Sequence, residues 1–108
     1  MQRRRFIIAT LVKAGFRTSL KGFDQFCSCV ELYSDSVNAS MDDIYKIVAT
    51  DFRCSKSAVE KNLRRLFHSS NATDAISRLF GTEFCDTGNK EIVSMFSNYV
   101  SLQREMYS

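Results

Sequence analysis

The residues of this chain best suited to bind another molecule lie in the segment 55–68, SKSAVEKNLRRLFH. Arg64 and Arg65 offer forked guanidinium donors, and Lys61 and Glu60 add an ammonium and a carboxylate. An arginine fork matches the acceptor edge of guanine, a carboxylate accepts from the amine of cytosine, and lysine pairs with phosphate. Together these side chains indicate contact with a nucleic acid.

The spacing of the segment places these residues on one face of a helix. Its apolar residues recur at intervals of three and four positions, which gathers them on the side that must face a core. They are Val59, Leu63, Leu66 and Phe67. The opposite side holds Ser57, Lys61, Arg64, Arg65 and His68, with Glu60 on its flank. A solvated charged face on an ordinary helix has the same pattern, so the surroundings of the helix decide between the two interpretations.

Positive charge is concentrated in two short segments. The net charge of the 108 residues is +3, from 15 basic and 12 acidic side chains. Residues 3–5 are three arginines, and residues 53–65 carry a net charge of +4, so the rest of the chain is net negative. A mildly acidic body with two basic segments has the field of a protein that docks one face on a polyanion.

The segment before the basic helix predicts a helix-turn-helix. Ser40 and Asp43 resemble a capping box, and an apolar stripe follows, so a helix is expected over residues 41–51. A break of only a few residues then leads into the basic helix, and two helices joined so closely can present the second to a major groove. The motif spans about residues 41–69, although its turn lacks the usual glycine. Ser57 and Glu60 spell a second capping box, which leaves open whether Glu60 contacts a base or folds back on its own helix.

At these residues the chain resembles the C-terminal DNA-binding effector domain of the sporulation-initiation response regulator of endospore-forming bacteria. The resemblance runs from about Phe6 to Gln103 and rests on separated motifs in a fixed order. An early glycine followed by Lys-Gly-aromatic is matched by Gly15, Lys21, Gly22 and Phe23; Ser-x-Val-Glu-x-x-(Ile/Leu)-Arg by Ser57, Val59, Glu60, Leu63 and Arg64; and Leu-Phe-Gly by Leu79, Phe80 and Gly81.

The resemblance implies an all-α domain of about six helices whose fourth helix, about residues 55–68, lies in the major groove of promoter DNA. It assigns base contacts to Glu60 and Arg64, and phosphate contacts to Ser57, Lys61 and Arg65. It also implies an RNA polymerase sigma factor as a partner and pairing of two copies on DNA. The chain departs from the family at Ala58, where the family has a base-reading arginine. The loop after Gly81 is shorter, and the family's phosphate-binding lysine has no counterpart near Asp86 and Thr87.

The rest of the chain fits one helical domain over residues 1–108, without proline or a low-complexity linker. Apolar periodicity predicts a first helix over residues 4–13 and a second over residues 22–33. The side chains expected to face inward are Phe6, Ile7, Leu11 and Val12 in the first helix and Phe23, Phe26, Val30 and Tyr33 in the second. Asn71 and Asp74 suggest the cap of a short helix that ends at Gly81.

A final helix is predicted over residues 89–106. Its broad apolar side packs on the core or, as the alternative, lines a dimer contact. That side comprises Ile92, Val93, Phe96, Tyr99, Val100 and Gln103.

Neither a metal site nor catalysis is expected. Of the four cysteines only Cys27 and Cys29 are close in sequence, and on a helix they point to different sides, whereas structural zinc sites favour paired knuckles. We therefore expect free, partly buried thiols and no cofactor. The single histidine, His68, has no recognisable nucleophile motif to serve, and there is no glycine-rich phosphate loop.

The amino terminus, with its three arginines and short apolar run, is not expected to be a secretory signal. Lys13 interrupts the run and no small-residue cleavage site follows, and no stretch approaches the length of a membrane span. The chain should therefore be cytoplasmic. The arginines either contact DNA phosphate or form a solvated, disordered end.

The expected function is that of a transcription-regulator effector module whose receiver domain is not part of this sequence. The alternative is a helical protein-interaction or adaptor module of the same fold that has lost DNA binding, which Ala58 and the short loop after Gly81 would favour.

Overall fold

A computed structural model describes residues 3–35, 39–81 and 88–106 of the chain. Within these ranges all regular secondary structure is helical, which confirms the predicted all-α fold. The six helices are α1 (Arg3–Ala14), α2 (Phe23–Asp35), α3 (Met41–Asp51), α4 (Lys56–Phe67), α5 (Ser70–Phe80) and α6 (Asn89–Met106). The ends predicted for α3 and α6 are those observed. Helix α1 extends one residue beyond the prediction at each end, and α2 begins one residue later and ends two residues later than predicted.

Serine caps and a terminal glycine explain where several helices begin and end. The Ser40 hydroxyl accepts a hydrogen bond of 3.1 Å from the backbone N–H of Asp43, as predicted for the start of α3. The predicted cap of α5 at Asn71 and Asp74 is wrong. Ser69 caps this helix instead, because its extended backbone aims its hydroxyl at the N–H of Ala72, 3.4 Å away. Gly81 ends α5 in the left-handed conformation, with φ of +64°, as expected of a glycine at this position.

The core is centred on α2, which packs against α1, α3, α4 and α6. Phe26 of α2 is fully buried, and its ring meets Phe16, Phe67 and Phe96 at centroid distances of 5.0, 4.9 and 5.6 Å. Edge-on and tilted ring pairs at such distances are favourable beyond the area they bury. This aromatic cluster holds α4 and α6 against α2 and against the segment that joins α1 to α2.

The buried faces of the outer helices differ from the predicted ones at their margins. In α1 the buried residues are Ile7, Thr10, Leu11 and Ala14, whereas Val12 is 44% exposed. Each residue turns the helix by about 100°, which carries Val12 well away from Ile7, so its inward assignment was wrong. Tyr33 of α2 is only half-buried.

Helix α6 packs on the core, which confirms the preferred of the two interpretations of its apolar side. Ile92, Val93, Phe96 and Val100 are buried. Tyr99 and Gln103, predicted to face inward with them, are half-buried at the edge. None of the helices in the described ranges has both the length and the apolar character needed to cross a membrane.

Candidate nucleic-acid interface

The turn between α3 and α4 is a tight reversal in which an arginine takes the position usually held by glycine. The N–H groups of Arg53 and Cys54 donate to the carbonyls of Thr50 and Ala49, at 3.3 and 2.9 Å, which is the bonding pattern of a Schellman motif. This pattern needs a left-handed residue, and Arg53 supplies it with φ of +54°. The turn that lacks glycine in the sequence therefore still forms, at the cost of a strained backbone at Arg53.

Ser55, not Ser57, caps the amino terminus of α4. Its hydroxyl accepts a 3.1 Å hydrogen bond from the N–H of Ala58, and its own backbone is extended. The alternative in which Ser57 and Glu60 form a capping box is therefore wrong, because Ser57 already lies inside the helix. The Glu60 carboxylate is exposed and makes no hydrogen bond or ion pair with a described residue.

The inner face of α4 carries the predicted apolar stripe. Val59, Leu63, Leu66 and Phe67 are all at most 2% exposed. Asn62, which sequence reasoning did not single out, is buried among them and donates from its amide nitrogen to Oε1 of Gln25 at 3.1 Å. The amide of Gln25 in turn faces Sγ of Cys54, 3.8 Å away, in the turn before α4. A buried polar pair of this kind fixes the rotation of α4, because any other rotation would leave both amides unsatisfied.

Gly22, just before α2, lets the backbones of α2 and α4 meet. A Cβ on Gly22 would lie 2.5 Å from the carbonyl oxygen of Asn62 and 2.9 Å from its carbon, so only glycine fits. The Lys-Gly-aromatic motif that carries part of the family resemblance therefore has a packing role. It seats the amino-terminal end of α2 directly on the middle of α4.

The outer face of α4 presents the predicted polar residues to solvent. These are Ser57, Glu60, Lys61, Arg64, Arg65 and His68, all of which are exposed. No ion pair within the described residues engages Lys61, Arg64 or Arg65. Ala58 is half-buried at the margin of this face. The structure thus brings all five predicted site residues onto one solvated face, opposite the buried stripe.

One basic residue of the segment is removed from this face. Lys56, the first residue of α4, forms an ion pair with Asp42 in the first turn of α3, and Lys46 reaches the same carboxylate at 3.1 Å. Hydrogen bonds from Lys56 and then Lys46 lower the pKa of Asp42, and Asp42 raises the pKa of Lys56. This ion pair links the first turns of the two helices of the motif at the protein surface.

The amino terminus of α6 borders the other flank of α4. Asn89 donates from its side-chain amide to the backbone carbonyl of Glu60 at 3.2 Å. Burial raises the pKa of the Tyr45 hydroxyl in α3, and the side chain of Asn89 partly offsets this rise. Helix α4 is therefore held by α2 on one side and by α6 on the other, with its outer face exposed between them.

Two of the three amino-terminal arginines bind the protein itself. Arg3 pairs with Asp35 and donates to the carbonyl of Glu31 at 2.8 Å. Arg4 donates to the Ser28 hydroxyl and to the carbonyl of Asp24, each at 3.0 Å. The expectation of a disordered end is wrong for these residues, since they belong to α1 and tie it to α2.

The cysteines that the structure describes are free thiols. Cys27 and Cys29 are fully buried, and burial raises the pKa of each thiol to about 12, so both stay protonated at neutral pH. In the described ranges no three His, Cys, Asp or Glu side chains group as a metal site would require. Cys85 lies outside the described residues, as do Asp86 and Thr87, at which the comparison of the loop after Gly81 was made.

A search of protein-family models and of curated protein sequences finds no match to the chain.

Proposed function

We propose that this chain is a sequence-specific, double-stranded DNA-binding domain of a transcription regulator, which inserts α4 into the major groove. The observation that supports it is the division of α4 into two faces. The inner face is buried in the core, and the outer face exposes arginine, lysine and glutamate side chains that no described residue neutralises. Only a short turn separates α3 from α4, as in a helix-turn-helix whose second helix enters the groove.

The roles within the face follow from chemistry and position. Arg64 can bond the O6 and N7 acceptors of guanine and Glu60 can accept from cytosine, so they are assigned base contacts. Contacts with the DNA backbone are assigned to Ser57, Lys61 and Arg65. Their hydroxyl, ammonium and guanidinium groups can each bind a phosphate from the edge of the face. The fixed rotation of α4 supports both assignments, since reading base edges requires side chains held at constant angles.

The wider context is proposed on the resemblance to the sporulation-regulator effector domain. The chain would act in the cytoplasm on promoter DNA, in contact with an RNA polymerase sigma factor and with a second copy bound to an adjacent half-site. The proposed function involves no catalysis, cofactor or metal.

Salt-dependent binding to duplex DNA tests the proposal against its alternative. Displacement of counterions from the duplex gives an affinity that falls steeply with salt, with a slope set by the number of phosphates contacted. Selection from a random duplex library, followed by titration of the selected duplex over a range of salt concentrations, measures both preference and slope. Binding without enrichment of any sequence would refute sequence specificity. The absence of binding at low salt would leave the protein-interaction module as the better hypothesis.

Arg64→Ala and Arg65→Ala form a matched pair that tests the assigned roles. Arg64→Ala should cost about 1 to 3 kcal/mol on the selected duplex and much less on a scrambled one. Arg65→Ala should weaken binding to both duplexes alike, because phosphate contacts carry no sequence information. Equal losses on both duplexes for Arg64→Ala would make Arg64 a phosphate contact instead.

Ala58→Arg tests the departure from the family. The added guanidinium should tighten binding to the family-type site by about 1 to 3 kcal/mol and change non-specific binding only slightly. An equal gain on every duplex would show that residue 58 faces phosphate rather than a base.

A further inference from the structure

A basic surface continues from α4 onto the segment before α2. Lys21 and Arg65 line the same surface cavity, of about 150 Å³, together with Leu20, Gly22, Asn62 and Leu66. Both cationic residues are exposed. The cavity therefore has an apolar and backbone floor, with one positive side chain from the turn before α2 and one from α4.

The position of Arg65 on α4 explains why it meets this segment. At about 100° per residue, Arg65 lies between the solvated centre of the outer face, near Lys61, and the buried Asn62. Asn62 is the residue whose carbonyl touches Gly22. Arg65 is thus on the flank of α4 that faces α2, whereas Glu60 is on the flank that faces α6.

Lys21 is held in place by the packing of its neighbour. Gly22 is buried against the backbone of Asn62, and the N–H of Phe26 donates to the carbonyl of Gly22 at 2.9 Å. The backbone that carries Lys21 is therefore fixed relative to α4, although the lysine side chain is free to move in solvent. A cation on a fixed backbone beside a groove-inserted helix is well placed for the sugar-phosphate strand that borders the groove.

We propose that Lys21 and Arg65 together bind one backbone phosphate of the DNA strand that passes beside α2. This inference rests on the proposed function, since it needs α4 in the major groove. It adds to the recognition helix a contact from outside the helix-turn-helix. The pair fixes how deeply α4 enters, because a phosphate held between two elements constrains the domain more than a contact from α4 alone.

The test compares Lys21→Ala with Arg104→Ala on a mixed-sequence duplex several helical turns long. Arg104 is an exposed cation on α6 that lines a cavity with Ser34 and Asp35 at the carboxyl end of α2. Lys21 lies before the amino end of α2, and the 13 residues of this helix separate its two ends by about 20 Å. Removing either residue lowers the net charge equally. Lys21→Ala should lower the affinity at a fixed low salt concentration several-fold, whereas Arg104→Ala should leave it within error. The slope of log affinity against log salt should fall by about 1 only when Lys21 and Arg65 are both replaced, because either cation alone still neutralises the shared phosphate.

A double variant, Lys21→Ala with Arg65→Ala, tests whether the two residues share a phosphate. Its loss of affinity should be smaller than the combined losses of the two single variants, because the second substitution removes a contact already weakened by the first. Lys21→Arg should retain the wild-type affinity. Circular-dichroism melts of each variant show whether the fold is intact.

The outcomes separate this inference from the proposed function. Absence of salt-dependent binding by the wild-type chain refutes the proposed function. Normal wild-type binding with equal affinities for Lys21→Ala and Arg104→Ala refutes the contact at Lys21. A reduced affinity of Lys21→Ala with fully additive losses in the double variant refutes the shared phosphate.

Discussion

Replacing Gly22 with alanine should destabilise the domain through a single, well-defined clash. The new Cβ would lie 2.5 Å from the carbonyl oxygen of Asn62, and this oxygen belongs to the backbone of α4 and cannot rotate away. Ordinary contact between non-bonded atoms is about 3.5 Å or more, so the backbones must separate by about 1 Å. Such overpacking of a buried contact costs about 1 to 3 kcal/mol.

A smaller effect opposes this cost. The φ of Gly22 is outside the left-handed range, so alanine can adopt its backbone conformation, and loss of glycine flexibility in the unfolded chain contributes about 0.4 to 1 kcal/mol of stability. The net expectation is a loss of about 1 to 2 kcal/mol, which corresponds to a Tm lower by roughly 4 °C or more. Urea denaturation followed by circular dichroism measures the free energy of unfolding directly.

Gly88→Ala is the matched control. A Cβ at Gly88 meets no atom within 4 Å, and the φ of this residue also lies outside the left-handed range. Its free energy of unfolding should change by no more than about 0.5 kcal/mol. If Gly22→Ala were as stable as Gly88→Ala, the close approach of α2 to α4 would be wrong, and with it the argument that places Lys21 beside Arg65.

Three further predictions concern the two helices of the motif. Arg53→Gly should raise the free energy of unfolding by about 0.5 to 1 kcal/mol, since glycine removes the left-handed strain. Arg53→Ala keeps the strain and should not stabilise the fold. A higher free energy of unfolding for both variants in urea titrations would contradict this. Ser55→Ala should lose about 1 kcal/mol and Ser57→Ala almost nothing, and equal losses would restore the rejected cap. The folded pKa of Asp42 lies below its ordinary 3.8, so its ion pair with Lys56 stabilises the fold above that pH and is lost as the pH falls through the folded pKa. Asp42→Asn should therefore weaken the fall of Tm on the acid side, and an unchanged Tm profile would mean that the pair contributes nothing.

The sequence by itself determined the helices and the angular placement of their residues. Apolar spacing predicted the ends of α3 and α6 as observed. The same spacing divided α4 into a buried stripe and an exposed face with Lys61, Arg64 and Arg65. These features are local, because a residue's direction on a helix depends only on the residue count from its neighbours. The helix ends and the two faces of α4 therefore do not depend on which helices contact each other.

Only the tertiary structure decided which elements each helix contacts and which of several suitable side chains caps it. Ser55 and Ser57 can both cap a helix, and the choice depends on where the turn set by Arg53 releases the chain. Helical spacing places Asn62 on the buried side of α4, three residues after Val59, but its amide has a partner there only because Gln25 approaches from α2. The need for glycine at residue 22 likewise exists only once α2 lies on α4. Such long-range choices depend on which surfaces come into contact on folding, and the spacing of residues along one helix does not encode them.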